Sequence, residues 1–140
     1  MKQRALDSNI ILRYLLQDDP QQCALVDTLF ESAHLKGDRF WISSLVLLEC
    51  LWVLECHYEV SRSDLILCLE RLADSSIFEL EHAEAIPKFL LQTQSNRHKP
   101  VGDLSDLLIA SMNATKGAKP TLTFDKKASK AAPEWIQLLT

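Results

Sequence analysis

Short runs of strand-forming residues alternate along this chain with longer segments of helical pattern, and this alternation restricts the fold more than any other feature. Residues 3–6 (QRAL), 39–43 (RFWIS), 76–81 (SIFELE), 121–124 (TLTF) and 135–139 (WIQLL) read as strands. Between them, SNIILRYLLQ is too long and too continuously apolar for a surface strand and reads as a buried helix, with Ser8 as its N-cap. Pro20 suits the first turn of a second helix that runs to a stop at Gly37. Ser43 or Ser44 can cap the helix SLVLLECLWVLECHYE, and SRSDLILCLERLAD carries its own capping residue. Residues 82–95 read as a helix with Pro87 near its first turn, 93–102 as a polar loop, and DLSDLLIASMNATKG as a helix ended by Gly117. Strands alternating with helices predict an α/β fold: a central, mostly parallel sheet covered by helices on both faces, a three-layer α/β/α sandwich.

At 140 residues and 47% hydrophobic composition, the chain suits one domain over residues 1–140 that buries about two-thirds of its unfolded surface. The first twenty residues hold only a short apolar run, broken by Arg13 and closed by Asp18 and Asp19, so they read neither as a signal peptide nor as a membrane span. The expected location is the cytoplasm, with no membrane partner. Cys23, Cys50, Cys56 and Cys68 show no CxxC spacing and lie in apolar helical segments, where a thiol packs as a small hydrophobe. The four histidines are scattered, which argues against zinc.

A net charge of −4 gives no global field for holding a polyanion, but the charge is uneven. Residues 1–96 hold 8 Lys+Arg against 15 Asp+Glu, a net of −7, while residues 97–130 hold 7 against 3, a net of +4. Arg97, Lys99, Lys116, Lys119, Lys126, Lys127 and Lys130 form this basic stretch. It reads either as a series of solvated helix and loop ends or as a phosphate-binding edge.

Acids occupy telling positions. In open α/β sheets ligands collect beyond the carboxyl ends of the strands, and Asp7 and Asp125 each stand where a strand finishes. Asp103 and Asp106 are three apart at a helix start, so they share a face near its positive end. Glu49 has apolar neighbours on both sides, which predicts a buried carboxylate needing a partner. Glu55 lies in a more polar stretch and reads as solvated or salt-bridged, outside the site. Each acid has a plainer reading, since Asp7, Asp125 and Asp103 can serve as helix caps. Jointly they suggest like charges converging on one crevice, a situation relieved by a shared cation, and oxygen-only ligands favour Mg²⁺ or Mn²⁺.

Four ordered segments resemble the motifs of the PIN-domain nucleases of the VapC type, the toxin halves of bacterial toxin–antitoxin pairs. ALDSNIILRYLLQDDP resembles the opening motif, ISSLVLLECLWVL the second, DLSDLLIASM the third and TLTFDKK the fourth, together spanning nearly the whole chain. The resemblance implies an acidic site at Asp7, Glu49, Asp106 and Asp125, with Asp103 as either a further ligand or only a cap, and Asn9 and Thr123 in support. It further implies Mg²⁺-dependent hydrolysis of RNA phosphodiester bonds (Mn²⁺ as an alternative), a homodimer, and a small DNA-binding antitoxin as partner. Lys126 and Lys127 are the expected RNA contacts. Two other readings are a PIN-like module that binds RNA or protein without catalysis, and a phosphoacceptor receiver domain. The latter normally pairs two acids near its first strand, where this chain has only Asp7.

Overall fold

A computed structural model describes residues 3–94 and 103–140, with only the backbone of Gln94. Of the loop expected at 93–102, Thr93 and Gln94 are helical instead, and the rest, 95–102 with Arg97 and Lys99, lies outside the described residues.

Strand β1 (Gln3–Ala5) ends at Leu6, and Asp7 then caps α1 (Ser8–Leu16), its Oδ1 accepting the Ser8 N–H at 2.8 Å. Asp7, not Ser8, is therefore the N-cap. Ser8 already lies inside the helix, where its side chain is buried. Asp19 caps α2 (Pro20–Lys36) through the Gln22 N–H at 3.0 Å, and the missing N–H of Pro20 costs nothing at the first helical position. Gly37, at φ +72°, ends α2 in the left-handed region that favours glycine. β2 (Arg39–Ile42) leads to Ser43, which caps α3 (Ser44–Cys56), and Ser61 caps α4 (Arg62–Asp74).

β3 (Phe78–Leu80) is followed by a single 3₁₀ turn, Ala83–Ala85, and then α5 (Ile86–Gln94). The one helix expected over 82–95 is thus divided, with the regular α-helix beginning one residue before Pro87, where a proline is tolerated. α6 (Leu104–Thr115) precedes β4 (Thr121–Thr123). A six-residue helix that the sequence pattern does not announce, α7 (Lys126–Ala131), separates β4 from β5 (Ile136–Leu138).

All strand pairs are parallel. β2 lies between β1 and β3, with Ala5 opposite Trp41 and Trp41 opposite Glu79. β4 pairs with β5, Thr121 opposite Ile136. The hydrogen-bonded strands therefore form groups of three and two, flanked by helices in the expected α/β/α arrangement. Against the three-stranded sheet, Tyr14, Phe30, Phe40 and Phe78 form a cluster with ring centroids 5.1–5.7 Å apart, several of them edge-on, as aromatic quadrupoles prefer. Leu65, Ile66 and Leu69 of α4, Phe89 of α5 and Leu104, Leu107 and Leu108 of α6 complete the buried core. Among the described residues, no helix is long and apolar enough to cross a membrane.

The orientation of α3 matters most for the site. Leu47, Cys50, Leu51 and Leu54 make its buried stripe at helical spacing. Leu45 (81% exposed) and Trp52 (53%) lie outside it, and so does Glu49, which is exposed. The burial expected of Glu49 is therefore incorrect: apolar neighbours in sequence do not bury a residue when some of them face outward. Cys56 likewise ends α3 exposed, whereas Cys23 and Cys50 are buried as expected; all four thiols are free.

Candidate active site

Hydrogen bonds and electrostatic partners sort the acids expected to act together into two groups. In the first, the start of α1, beside Asp7, reaches Glu49 where α1 packs on α3. The buried Ser8 hydroxyl donates a short hydrogen bond to Glu49 Oε1, tying the start of α1 to the second turn of α3. The Cys50 thiol lies beneath: burial pushes its pKa up to about 12, with Glu49 and then Asp7 adding to the shift. Asp7 Oδ1 is engaged by the helix cap, and the Asn9 amide reaches Asp7 Oδ2 at 3.5 Å. Asp7 thus caps a helix and also borders the candidate site.

The second group is built on the first turn of α6. Asp103 occupies the N-cap position, and its backbone carbonyl accepts the Leu107 N–H at 3.2 Å, but its side chain makes no capping hydrogen bond. Of the two readings of Asp103, the structure shows the cap position without the cap contact. Burial raises the pKa of the half-buried Asp106, and the charges of Asp103 and Asp125 raise it further. Asp125 stands at the end of β4 and caps α7, its Oδ1 accepting the N–H groups of Lys127 (2.9 Å) and Ala128 (3.1 Å). Thr123 fixes that turn by accepting the Asp125 N–H on Oγ1 at 2.9 Å.

A residue that the sequence reading sets aside belongs with this second group. Burial raises the pKa of Glu55, and Asp103 and Asp106 contribute in the same direction while Arg62 opposes them. Arg62, at the start of α4, is itself shifted down by burial, with Glu55 and Asp103 pulling the other way. Glu55 is therefore in electrostatic contact with a cation, as a salt-bridged residue would be, but also with the acidic group from which it was excluded. The cause is tertiary. The end of α3 lies near the start of α6, and nothing local to ECHYE reports this.

Among the described residues, no three His, Cys, Asp or Glu side chains are gathered closely enough to hold a metal ion. The chemistry of the donors nevertheless fits a hard divalent cation. They are carboxylate oxygens throughout, and Asp106 and Glu55, raised first by burial, are both raised further by the charge of Asp103, which such a cation would offset. Lys126 and Lys127 are exposed in the first turn of α7, immediately after Asp125.

Comparisons with known proteins bear on the family of the chain. A protein of Aquifex aeolicus (strain VF5) named VapC ribonuclease is 21% identical over 127 residues, which cover 91% of this chain and 90% of that relative. No solved structure gives a significant match. The pattern of the PIN domain matches residues 5–133, nearly the full length described above. The chain belongs to the PIN-domain family.

Proposed function

We propose that this protein is a divalent-cation-dependent ribonuclease that hydrolyses RNA phosphodiester bonds and acts as the toxin of a toxin–antitoxin pair. The observation that carries the reading is the half-buried Asp106 at a helix start, its pKa raised first by burial and then by the charges of Asp103 and Asp125, in a PIN domain whose distant relative is named a ribonuclease. Asp7 and Asp106 are the principal residues to hold Mg²⁺ or Mn²⁺, with Asp125 and Asp103 beside them. When bound, the cation supplies charge neutralisation and Lewis acidity at the phosphate.

The protein's own groups do the positioning. Glu49, oriented by the Ser8 hydroxyl, is placed to orient the attacking water or take its proton. The capping bonds of Asp7 and Asp125 fix their carboxylates on helix ends, and Asn9 and Thr123 steady those two turns. Lys126 and Lys127 give the RNA backbone a local cationic hold on an otherwise acidic chain. The proposed partners are a small DNA-binding antitoxin and a second copy of the chain, and the proposed location is the cytoplasm.

The test is cleavage of single-stranded RNA with Mg²⁺ or Mn²⁺, with and without chelator. Wild type is expected to cleave only with the cation, and Asp7→Asn to lose at least about 10²-fold while keeping its fold. Undiminished cleavage by Asp7→Asn overturns the assignment. Replacing Lys126 and Lys127 together with Ala is expected to weaken RNA binding and lower its salt slope by about 1.4, the value for two single-strand phosphate contacts. A second reading, a PIN module that binds without cutting, draws on the absence of a gathered three-ligand group among the described residues. Cation-independent binding without turnover in the same assay selects it.

A further inference from the structure

Along the seam between α3 and α6, past the acids, a cavity of about 280 Å³ opens. Leu48, Ile109 and Met112 form its apolar wall, and His82, Asn113 and Lys116 are its polar residues. Its size is just below the range of roughly 300–1,000 Å³ for drug-sized ligands, which suits one nucleobase and its sugar better than a peptide helix.

Its position relative to the acids is set by the helices themselves. Leu48 directly precedes Glu49. Ile109 is one turn beyond Asp106, about 4.5 Å along the axis at 1.5 Å per residue. Its polar groups are held in place. The Asn113 amide donates to Thr121 Oγ1 at 3.0 Å, which fixes its plane. The rim at Ser44 is tied down by Glu81, whose carboxylate accepts the Ser44 N–H at 2.8 Å. Lys116 is exposed at the end of α6 and makes no ion pair with the described residues.

A larger cavity of about 740 Å³ floored by Tyr14, Phe30 and Ile77 is lined by Asp27, Glu31 and His34 and by no lysine or arginine, whereas the α3–α6 cavity, with Glu81 at its Ser44 rim, has Lys116 in its lining. A phosphate-bearing strand is repelled there and attracted at Lys116.

We propose that the α3–α6 cavity is a nucleotide subsite for the RNA strand flanking the scissile phosphate. A base packs on Leu48, Ile109 and Met112, its edge meets the Asn113 amide, and its phosphate lies against Lys116. Stacking on apolar side chains together with one cation is how single-stranded nucleic acid is commonly held. This proposal rests on the ribonuclease reading and deepens it by naming a second contact region for the same substrate.

The test measures binding of a labelled single-stranded RNA by anisotropy, without divalent cation, and maps cut positions on a randomised RNA with the cation present. Lys116→Ala is expected to weaken binding about tenfold and lower the salt slope by about 0.7. Ile109→Trp, which fills the cavity from its exposed rim, is expected to weaken binding and to alter base preference at one position beside the cut. Asn113→Ala is expected to alter that preference with little change in salt slope. If wild type cleaves RNA and both Lys116→Ala and Ile109→Trp bind and cut as it does, the subsite is wrong and the ribonuclease reading stands. If wild type cleaves no RNA but its binding falls in both variants, the ribonuclease reading is wrong and the cavity stands as an RNA-binding site.

Discussion

The two acidic places differ in how their charges are satisfied. At the α1–α3 contact, Asp7 accepts a backbone N–H and Glu49 accepts the Ser8 hydroxyl, so each carboxylate has a hydrogen-bond donor. At the start of α6, Asp103 has no capping contact, while burial and neighbouring charge raise the proton affinity of Asp106 and Glu55. Asp7, like Asp125 at the start of α7, uses its charge to hold the fold, whereas Asp106 and Glu55 are held at a cost to it. The contrast separates two demands on a carboxylate that look the same in the sequence. A capping acid stabilises whether or not it does chemistry, whereas an uncompensated acid at a helix start asks for something the chain does not supply.

Stability measurements can break this comparison. The largest effect is expected at Asp7. Asp7→Ala removes the cap of α1 and should cost about 1 kcal/mol, within a range of about 0.5–2, or roughly 3 °C in Tm. Asp7→Asn retains a good capping residue and should melt close to wild type, although both variants lose cleavage. Thermal melts monitored by circular dichroism check the pair. Equal melting of the Ala and Asn variants would show that the hydrogen bond to Ser8 N–H contributes nothing, and the two places would then not differ in kind.

Asp106→Asn should act in the other direction. Removing one charge from the repelling group should raise Tm by a small amount, corresponding to less than about 1 kcal/mol, because Asp106 is only half-buried and its repulsion is partly screened by solvent. Mg²⁺ should raise the wild-type Tm by binding the native state, and Asp106→Asn should lose most of that increment. A lower Tm for Asp106→Asn without metal, or an unchanged response to Mg²⁺, would place the two acidic regions in the same class.

How far these differences can be read in the sequence varies by residue. Asp7 and Asp125 are legible because a strand, an acid and a helix follow one another locally, and the same adjacency makes both of them caps. The helices and parallel strands are legible from period and capping residues. Glu55 is not, because it meets Asp103 and Asp106 only through the packing of α3 near α6, some fifty residues along the chain. The exposure of Glu49 is hidden for a related reason: α3 is apolar on most sides, so the sequence does not say which side faces the core, and only the stripe from Leu47 to Leu54 decides it. α7 escapes notice because KKASKA is short, charged and without periodicity, and its start is fixed by a single acid, Asp125.

The smallest expected effect is also the one that tests the contrast most directly, through pH. Asp106 and Glu55 have folded-state pKa values raised above their ordinary ones, so the folded chain holds these protons more tightly than the unfolded chain. The stability they contribute is fully present below the ordinary carboxylate range and is lost as pH rises through the raised values. Wild type should therefore lose stability relative to an Asp106→Asn, Glu55→Gln double variant as pH climbs from about 4 to neutrality. The difference should shrink in high salt, which screens the exposed part of the repulsion. If chemical denaturation across that pH range gives parallel curves for wild type and the double variant, neither burial nor neighbouring charge raises the proton affinity of Asp106 and Glu55, and the contrast with the capped acids fails.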